Sequence, residues 1–336
     1  MDGCDGTNDG ESRRDGRHVA GLQPTHRSNI GLLDQLQMIS VVTFASTTDG
    51  KHLTALDFIQ KEGLEGALVG KVIVLTEATV GIGLEAARAL LITGATLFLT
   101  ARVRKKATKN LAGVLESGRV TLVNMDNGSL SSVRAAAATI LTQSNNKVNI
   151  LIANAGINEI QEYTLTDDGY EILLATNHLS HFLLFQLLKP ALLASSSPEF
   201  HSRVALTTSS THLIVKLNGS ENYKYEKGGY IFIKEYAHSK LANIYIAHEI
   251  ERQYGHRGLH GSSAHPGIIK SIVTQKEFID NEKTPAEGAA TTVIAARGQD
   301  GDDDMHGTGW VSHTYDPDSE SRLWKDSLKL VGLVTE

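Results

Sequence analysis

Short apolar runs alternate with segments of helical periodicity from residue 71 onward. The apolar runs predict strands over residues 71–76, 95–100, 120–124, 149–153 and 203–209. The segment after the first of these strands, residues 83–91, has a helical pattern. Continuously apolar strands are typical of a sheet that is buried on both faces. The alternation therefore predicts an α/β fold with a single doubly wound parallel sheet, flanked by helices on both faces.

The first 68 residues lack this alternation. Residues 1–30 are rich in Gly, Asp, Arg and Asn, a composition that does not form a core, and we expect them to be disordered. Residues 39–44 have the pattern of a strand, and residues 53–68 have that of a weak helix interrupted by glycines. We therefore divide the chain into a partly disordered N-terminal extension, residues 1–68, and one folded domain, residues 69–336.

Charge and composition exclude several classes of function. The net charge of −6 and the lack of a basic stripe argue against nucleic-acid binding. The best apolar stretch, residues 181–193, is interrupted by polar residues and falls short of the roughly 20 residues that a membrane span needs. No apolar segment follows the polar start, so no signal peptide is expected. The single cysteine, Cys4, excludes an internal disulfide, and we expect a cytoplasmic protein.

A glycine-containing turn follows the first strand of the domain. Thr76 ends the strand, and Gly81 and Gly83 open the helix. Backbone N–H groups at a helix N-terminus, approached closely through glycine, suit the pyrophosphate of a dinucleotide. The same pattern also fits an ordinary tight turn.

Basic residues follow the second strand where an NAD site would carry an acidic residue. Arg102 comes first, and a cation there suits the 2′-phosphate of NADP. The alternative is a solvated basic start of a helix. Asp126, after the third strand, is positioned to accept a hydrogen bond from adenine. Asn154, after the fourth strand, would lie beside a ribose or nicotinamide. Either residue could instead belong to a simple turn.

Three tyrosines precede a lysine by four residues: Tyr223, Tyr230 and Tyr236. Only the pair Tyr236 and Lys240 lies well inside a helical pattern, where such spacing places both side chains on one face. A nearby ammonium is expected to lower the pKa of a phenol from about 10, which would suit the phenol for proton transfer. On this spacing alone, Tyr236 and Lys240 could equally be a surface pair.

Two polar residues support the pair Tyr236 and Lys240. Ser209 ends the strand over residues 203–209, and ligands bind at the carboxyl ends of parallel strands. Its hydroxyl is therefore expected to bind the substrate oxygen. Asn177, on a mostly apolar helix, would connect Lys240 to solvent through water, or would cap or kink its helix.

Several motifs occur in the order found in one enzyme family. They are Thr76…Gly81-Ile-Gly83, Asn154-Ala-Gly156, Thr176-Asn-His-Leu179, Thr208-Ser209, Tyr236-Ala-His-Ser-Lys-Leu-Ala-Asn243 and His265-Pro-Gly267. Together they resemble the short-chain dehydrogenase/reductase family, most closely its retinol-dehydrogenase-like and fungal secondary-metabolism branch.

The resemblance implies a Rossmann fold and an NADP-dependent oxidoreductase acting on a lipophilic small molecule. It implies Ser209, Tyr236 and Lys240 as the catalytic triad, with Asn177 as fourth member. It also implies a homodimer paired through the long helices. The implied cofactor contacts are Ile82, Asp126, Asn154, Tyr236, Lys240, Ile269 and Ser271.

Departures from the family pattern motivate a second hypothesis. Glu77 occupies the position of the first glycine of the family's phosphate loop, and the segment between Ser271 and Thr284 is short for a substrate lid. The alternative function is a non-redox descendant, such as a binding protein, an isomerase or a cyclase. No metal is expected, because His178 and His181 lack complementary ligands at metal-binding spacing.

Overall fold

A computed structural model describes most of the domain. The described residues are 41–42, 52–158, 160–219, 222–225, 227–269, 283–298 and 314–333. Ser271 and Cys4 lie outside them, as do residues 1–30.

The described strands form one seven-stranded parallel sheet. The strand order is β1-β7-β6-β5-β2-β3-β4, and the strands are β1 (Val41–Val42), β2 (Val72–Leu75), β3 (Thr96–Ala101), β4 (Val120–Asn124), β5 (Ile150–Ala153), β6 (Ser202–Thr207) and β7 (Leu259–Ala264). All six pairings are parallel. The order reverses between β2 and β5, which creates the crevice where ligands bind in such sheets. The predicted α/β fold is confirmed.

Helices cover both faces of the sheet. The described helices are α1 (Ala55–Lys61), α2 (Gly81–Ile92), α3 (Arg104–Asn110), α4 (Leu130–Gln143), α5 (Ile172–Leu174), α6 (Ser180–Ser195), α7 (Phe232–Tyr254), α8 (Pro285–Arg297) and α9 (Pro317–Leu330). A π-helical turn, Ala175–Leu179, joins α5 to α6.

The two faces of the sheet belong to separate apolar clusters. Along β2, Val72 and Val74 pack in the cluster that includes α4, α6, α7 and α9. Ile73 and Leu75 pack in the other cluster, with α1, α2 and α8. This alternation follows from the period of two in a strand, and it explains why the strands are apolar throughout.

Part of the predicted N-terminal extension packs against the domain. Val41–Val42, inside the segment predicted as a strand, pairs with β7 at one edge of the sheet. Helix α1 begins at a capping box, in which Thr54 and Asp57 bond each other's backbone N–H groups. Phe58 and Ile59 of α1 are buried in the core. These described residues therefore pack with the domain, although they precede the predicted boundary at residue 69.

Helix α7 is enclosed by its neighbours. Every residue from Ala237 to Ile250 is buried, so the helix has no exposed face over this stretch. Helix α9 packs nearby, where Trp324 contacts Phe182 and Phe185 of α6 at ring-centroid distances of 5.1 and 6.0 Å. Of the helices in the described part of the chain, none has both the length and the apolar character needed to cross a bilayer.

Candidate active site

The carboxyl ends of β2 and β5 are joined through Thr76 and Asn154. The Thr76 hydroxyl oxygen accepts hydrogen bonds from the backbone N–H groups of Asn154 and Ala155, both at 2.9 Å. The Asn154 side chain donates from Nδ2 to the Thr76 carbonyl at 3.0 Å. Two residues predicted from separate motifs thus meet at the crevice edge.

The predicted phosphate loop leads into α2 as expected. Gly81 has φ +56°, a conformation that favours glycine. A β-carbon on Gly83 would lie 2.0 Å from the carbonyl oxygen of Glu77, so only glycine fits. The N-cap residue, Val80, makes no side-chain hydrogen bond, and the first turn carries no acidic residue. The first N–H groups of α2 therefore face no competing side-chain cap, which suits an anion.

Glu77 has a left-handed backbone conformation, which glycine adopts most readily. Its φ is +52°, a region that L-residues seldom adopt. The half-buried Glu77 carboxylate accepts a hydrogen bond from the Thr79 hydroxyl. The loop keeps the glycine-type geometry despite the substitution, but it holds a carboxylate there.

Ile82 and Ile269 lie close together beside α8. If Gly288 carried a β-carbon, that atom would lie 2.4 Å from Ile269 Cδ1 and 3.3 Å from Ile82 Cγ1. Two residues implied as cofactor contacts are thus brought together from opposite ends of the domain.

Arg102 and Asp126 follow the ends of β3 and β4, which are adjacent strands. Arg102 is exposed and forms no ion pair with any described residue. One Asp126 oxygen, Oδ1, accepts the Gly128 N–H at 2.9 Å. The Asp126 backbone N–H donates to Ser132 at 2.9 Å. The turn thus fixes Asp126, and Arg102 is left available to a ligand.

Tyr236, Lys240 and Ser209 meet at the same crevice edge. The Lys240 Nζ lies 5.7 Å from the centroid of the Tyr236 ring and donates to the Thr207 carbonyl at 3.2 Å. The Ser209 hydroxyl lies near the Tyr236 phenol and lowers the pKa of that phenol. Tyr236 is half-buried, whereas Lys240 is almost wholly buried.

Burial drives the phenol and the ammonium toward their neutral forms. It raises the pKa of Tyr236, and the Ser209 hydroxyl offsets this only in part. Burial also lowers the pKa of Lys240 to about 8. The expectation of a lowered pKa for Tyr236 is therefore wrong, because desolvation by burial raises the pKa more than the Ser209 hydroxyl lowers it.

The other two tyrosines of the repeated spacing bond elsewhere. The Tyr230 hydroxyl donates to Glu171 at 3.4 Å, and the Tyr223 hydroxyl donates to Asp326 at 3.3 Å. These contacts hold the segment before α7 against α5 and α9, and they give Tyr223 and Tyr230 a structural explanation.

Asn177 lies in the π-helical turn, where the Ser180 N–H bonds the Ala175 carbonyl five residues back. The Asn177 Oδ1 accepts the Ile157 N–H at 2.8 Å. Its Nδ2 donates to the Ile157 carbonyl and to Ser239, both at 3.0 Å. Both amide hydrogens are thus committed to protein atoms. The helix irregularity agrees with the kink alternative for Asn177.

Sequence reasoning missed Asn243 as part of this network. Its Nδ2 donates to the Thr207 carbonyl at 3.0 Å and to the Asn177 carbonyl at 3.1 Å. The sequence contains a signal for Asn243, because this residue follows Tyr236 by seven positions and Lys240 by three. In a helix, this spacing places all three on one face. Among the described residues, no group of three or more His, Cys, Asp and Glu side chains could hold a metal ion.

This chain is similar to several known proteins in sequence and in structure. The short chain dehydrogenase family profile matches residues 71–282. Short-chain dehydrogenase/reductase prx1 of Penicillium roqueforti is 39% identical over 311 residues, which cover 83% of this chain and 90% of that protein. Retinol dehydrogenase 12 of Bos taurus is 32% identical over 288 residues, which cover 79% and 88%. A crystal structure of an uncharacterized Mycobacterium paratuberculosis protein superposes with a TM-score of 0.65 and 27% identity, and the match covers 84% and 98%.

Proposed function

Because this chain belongs to the short-chain dehydrogenase/reductase family, we propose that it is an NADP-dependent oxidoreductase that interconverts a carbonyl and an alcohol on a lipophilic small molecule. One observation carries the proposal: Tyr236, Lys240 and Ser209 converge at the crevice edge, beside a loop that leads into an uncapped helix N-terminus. A pure binding protein has no need of that side-chain arrangement.

Carbonyl reduction requires a protonated phenol on Tyr236, and the raised pKa of Tyr236 is consistent with that form. At neutral pH the phenol keeps its proton and donates it to the substrate oxygen as negative charge develops there. The Ser209 hydroxyl, which lies near the phenol, would bind the same oxygen. NADPH, when bound, supplies the hydride to the carbonyl carbon.

Lys240 stabilises the phenolate that forms on Tyr236. A pKa of about 8 leaves most of its ammonium charged at neutral pH. The contact with the Thr207 carbonyl holds the ammonium near the ring. A positive charge in a buried site favours the developing anion more strongly than it would in water.

The residues present fit NADP. The uncapped N-terminus of α2 would hold the pyrophosphate, and Arg102 would hold the 2′-phosphate. Asp126 and Asn154 would bind the adenine and ribose portions. Ile82 and Ile269 supply apolar contacts. Ser271, implied as a further contact, stays a prediction.

Exposed apolar side chains that neighbour Ser209 and Tyr236 in sequence support a lipophilic substrate. Leu213 and Ile214 follow Ser209, and Ile231 and Ile233 precede Tyr236. Large exposed apolar side chains that cluster at a site mark a binding surface. The relative from Bos taurus is named a retinol dehydrogenase, after an apolar alcohol. The expected roles in secondary metabolism and in the cytoplasm stay predictions.

Two measurements test the proposal. Nicotinamide fluorescence during titration with NADPH reports cofactor binding, and absorbance during incubation with apolar aldehydes and ketones reports turnover. We expect saturable binding and NADPH oxidation with at least one apolar carbonyl. Binding without turnover on a broad panel would contradict the carbonyl-reducing role.

A specific observation keeps the non-redox alternative open: the Glu77 carboxylate lies in the phosphate loop. If wild-type protein and Glu77→Gly both fail to bind NADPH and NADH, the chain is a non-redox descendant of the family.

A further inference from the structure

His181 connects Thr76, at the start of the phosphate loop, to Asn177. Its Nε2 lies 3.0 Å from the Thr76 hydroxyl and 3.3 Å from the Asn127 amide nitrogen, and its Nδ1 lies 3.0 Å from the Asn177 carbonyl. We propose that His181 is a positioning residue that fixes Thr76 and Asn177 relative to each other. The inference deepens the proposed function and rests on it.

The hydrogen-bond partners fix the tautomer of His181. The Asn177 carbonyl can only accept, so Nδ1 carries the proton and Nε2 accepts. The Thr76 hydroxyl oxygen already accepts two backbone N–H groups, which uses both its lone pairs. Its own hydrogen is free to go to His181 at 3.0 Å, a shorter contact than the 3.5 Å to the Ile152 carbonyl.

The charge state of His181 is consistent with this arrangement. The ring is buried, and burial lowers its pKa to about 4, with the hydrogen bond to Asn177 opposing the shift and Lys240 adding to it. A protonated ring would present a second N–H where the Thr76 hydroxyl donates. The neutral ring, with its proton on Nδ1, therefore matches the Asn177 carbonyl, and its Nε2 accepts from the Thr76 hydroxyl and the Asn127 amide.

The contact to Asn177 completes an irregular piece of helix. In the π-helical turn, the Asn177 carbonyl accepts from two side chains, His181 and Asn243. Together they use both lone pairs of that oxygen. The Asn177 side chain, which bonds Ile157 and Ser239, is held in place by this tie.

Two substitutions separate the two contacts. His181→Asn places an amide N–H near the position of Nδ1 and loses the contact to Thr76. His181→Gln places amide atoms near the position of Nε2 and loses the contact to Asn177. We expect His181→Asn to weaken NADPH binding by about tenfold while keeping kcat near wild type. We expect His181→Gln to lower kcat by about tenfold while keeping the Kd for NADPH within a few fold, each change being about the value of one buried hydrogen bond.

His178→Gln is the matched control. His178 is also buried, three residues earlier, and its Nε2 lies 2.9 Å from the Ser327 hydroxyl of α9. This variant is expected to shift the melting temperature without separating Kd from kcat. The inference would be overturned if both His181 variants lost NADPH affinity and kcat to the same extent. It would also be overturned if neither variant lost any.

Nitrogen NMR of wild-type protein tests the tautomer without any cofactor. With ¹⁵N-labelled histidine, we expect His181 to be a neutral Nδ1–H tautomer from pH 6 to 8. An Nε2–H tautomer or a charged ring would overturn the inference even if the variants fail to fold. If wild-type protein shows the expected tautomer but binds no NADPH, the proposed function fails while the structural tie stands.

Discussion

The carbonyl oxygen of Glu77 lies 2.0 Å from the position that a β-carbon on Gly83 would occupy. This close approach brings the start of α2 against the end of β2. The turn achieves it with Glu77 at φ +52°, where glycine would adopt the same backbone without strain.

We predict that Glu77→Gly stabilises the protein and tightens NADPH binding. Relief of the left-handed backbone should raise the free energy of unfolding by about 1 kcal/mol. Removal of the carboxylate should lower the Kd for NADPH by about tenfold, because like charges repel near a phosphate. Thermal unfolding and calorimetric titration at two salt concentrations measure the two effects. Glu77→Gln is the control, expected to improve the Kd but not the stability.

Tyr236→Phe should abolish turnover and leave the Kd for NADPH within a few fold, since it removes only the proton donor. Single-turnover NADPH oxidation measures the loss. Tyr230→Phe is the matched control: its hydroxyl bonds Glu171 at 3.4 Å, and activity should be largely retained. Substantial turnover by Tyr236→Phe would refute the proposed role of the phenol.

Arg102→Asp should shift cofactor preference from NADPH to NADH. Arg102 is exposed and forms no ion pair with another described residue, so its charge is available to a 2′-phosphate. That contact is worth about 1.5–3 kcal/mol. The ratio of kcat/KM for the two cofactors measures the shift. A wild-type preference for NADH would contradict the assignment.

Lys240→Met should inactivate the enzyme but stabilise the ligand-free fold at neutral pH. The folded pKa of about 8 lies below the ordinary lysine value of 10.5, so the unfolded chain binds more protons between these values. Wild-type stability should therefore rise as pH increases from about 8 to 10.5, and the buried ammonium costs about 3 kcal/mol below that range. Chemical denaturation at pH 7 and pH 10 should show the advantage of the variant shrinking at the higher pH.

We predict a monomer rather than the homodimer implied by the family resemblance. Helix α7 has no exposed residue from Ala237 to Ile250, and α9 packs on both α6 and α7. Dimerisation through these helices would require α9 to leave. Sedimentation velocity at micromolar concentrations should give the mass of one chain, and a stable dimer would show that subunits pair through another surface.

The sequence pattern predicted the strands β2–β6, and it predicted that Ser209, Tyr236 and Lys240 meet at one edge of the sheet, because both follow local rules. Apolar runs identify buried strands, and parallel strands place the residues after them at one edge. Ser209 and Asn154 could therefore be assigned to one crevice. Three tyrosine–lysine pairs have the same spacing, and only Tyr236 and Lys240 lie well inside a helical pattern.

Features set by distant contacts could not be predicted in this way. His181 and Thr76 are far apart in sequence, and no local pattern reports that they meet. Packing determines the π-helical turn at Asn177 and the positive φ of Glu77. The raised pKa of Tyr236 depends on burial that only the assembled site provides.

The pairing of β1 with β7 has a consequence for how the chain is made. Val41 pairs with Ser263, on the order of 200 residues later, and Phe58 lies in a core cluster with Val293 of α8. At a synthesis rate of about 5–20 residues per second, the N-terminal partners wait roughly ten seconds or longer for the strand and helix that cover them. During that interval apolar side chains of α1 have no native partner from α8. Translation speed and ribosome-associated chaperones should therefore affect the yield of native protein more than they would for a fold closed by local contacts.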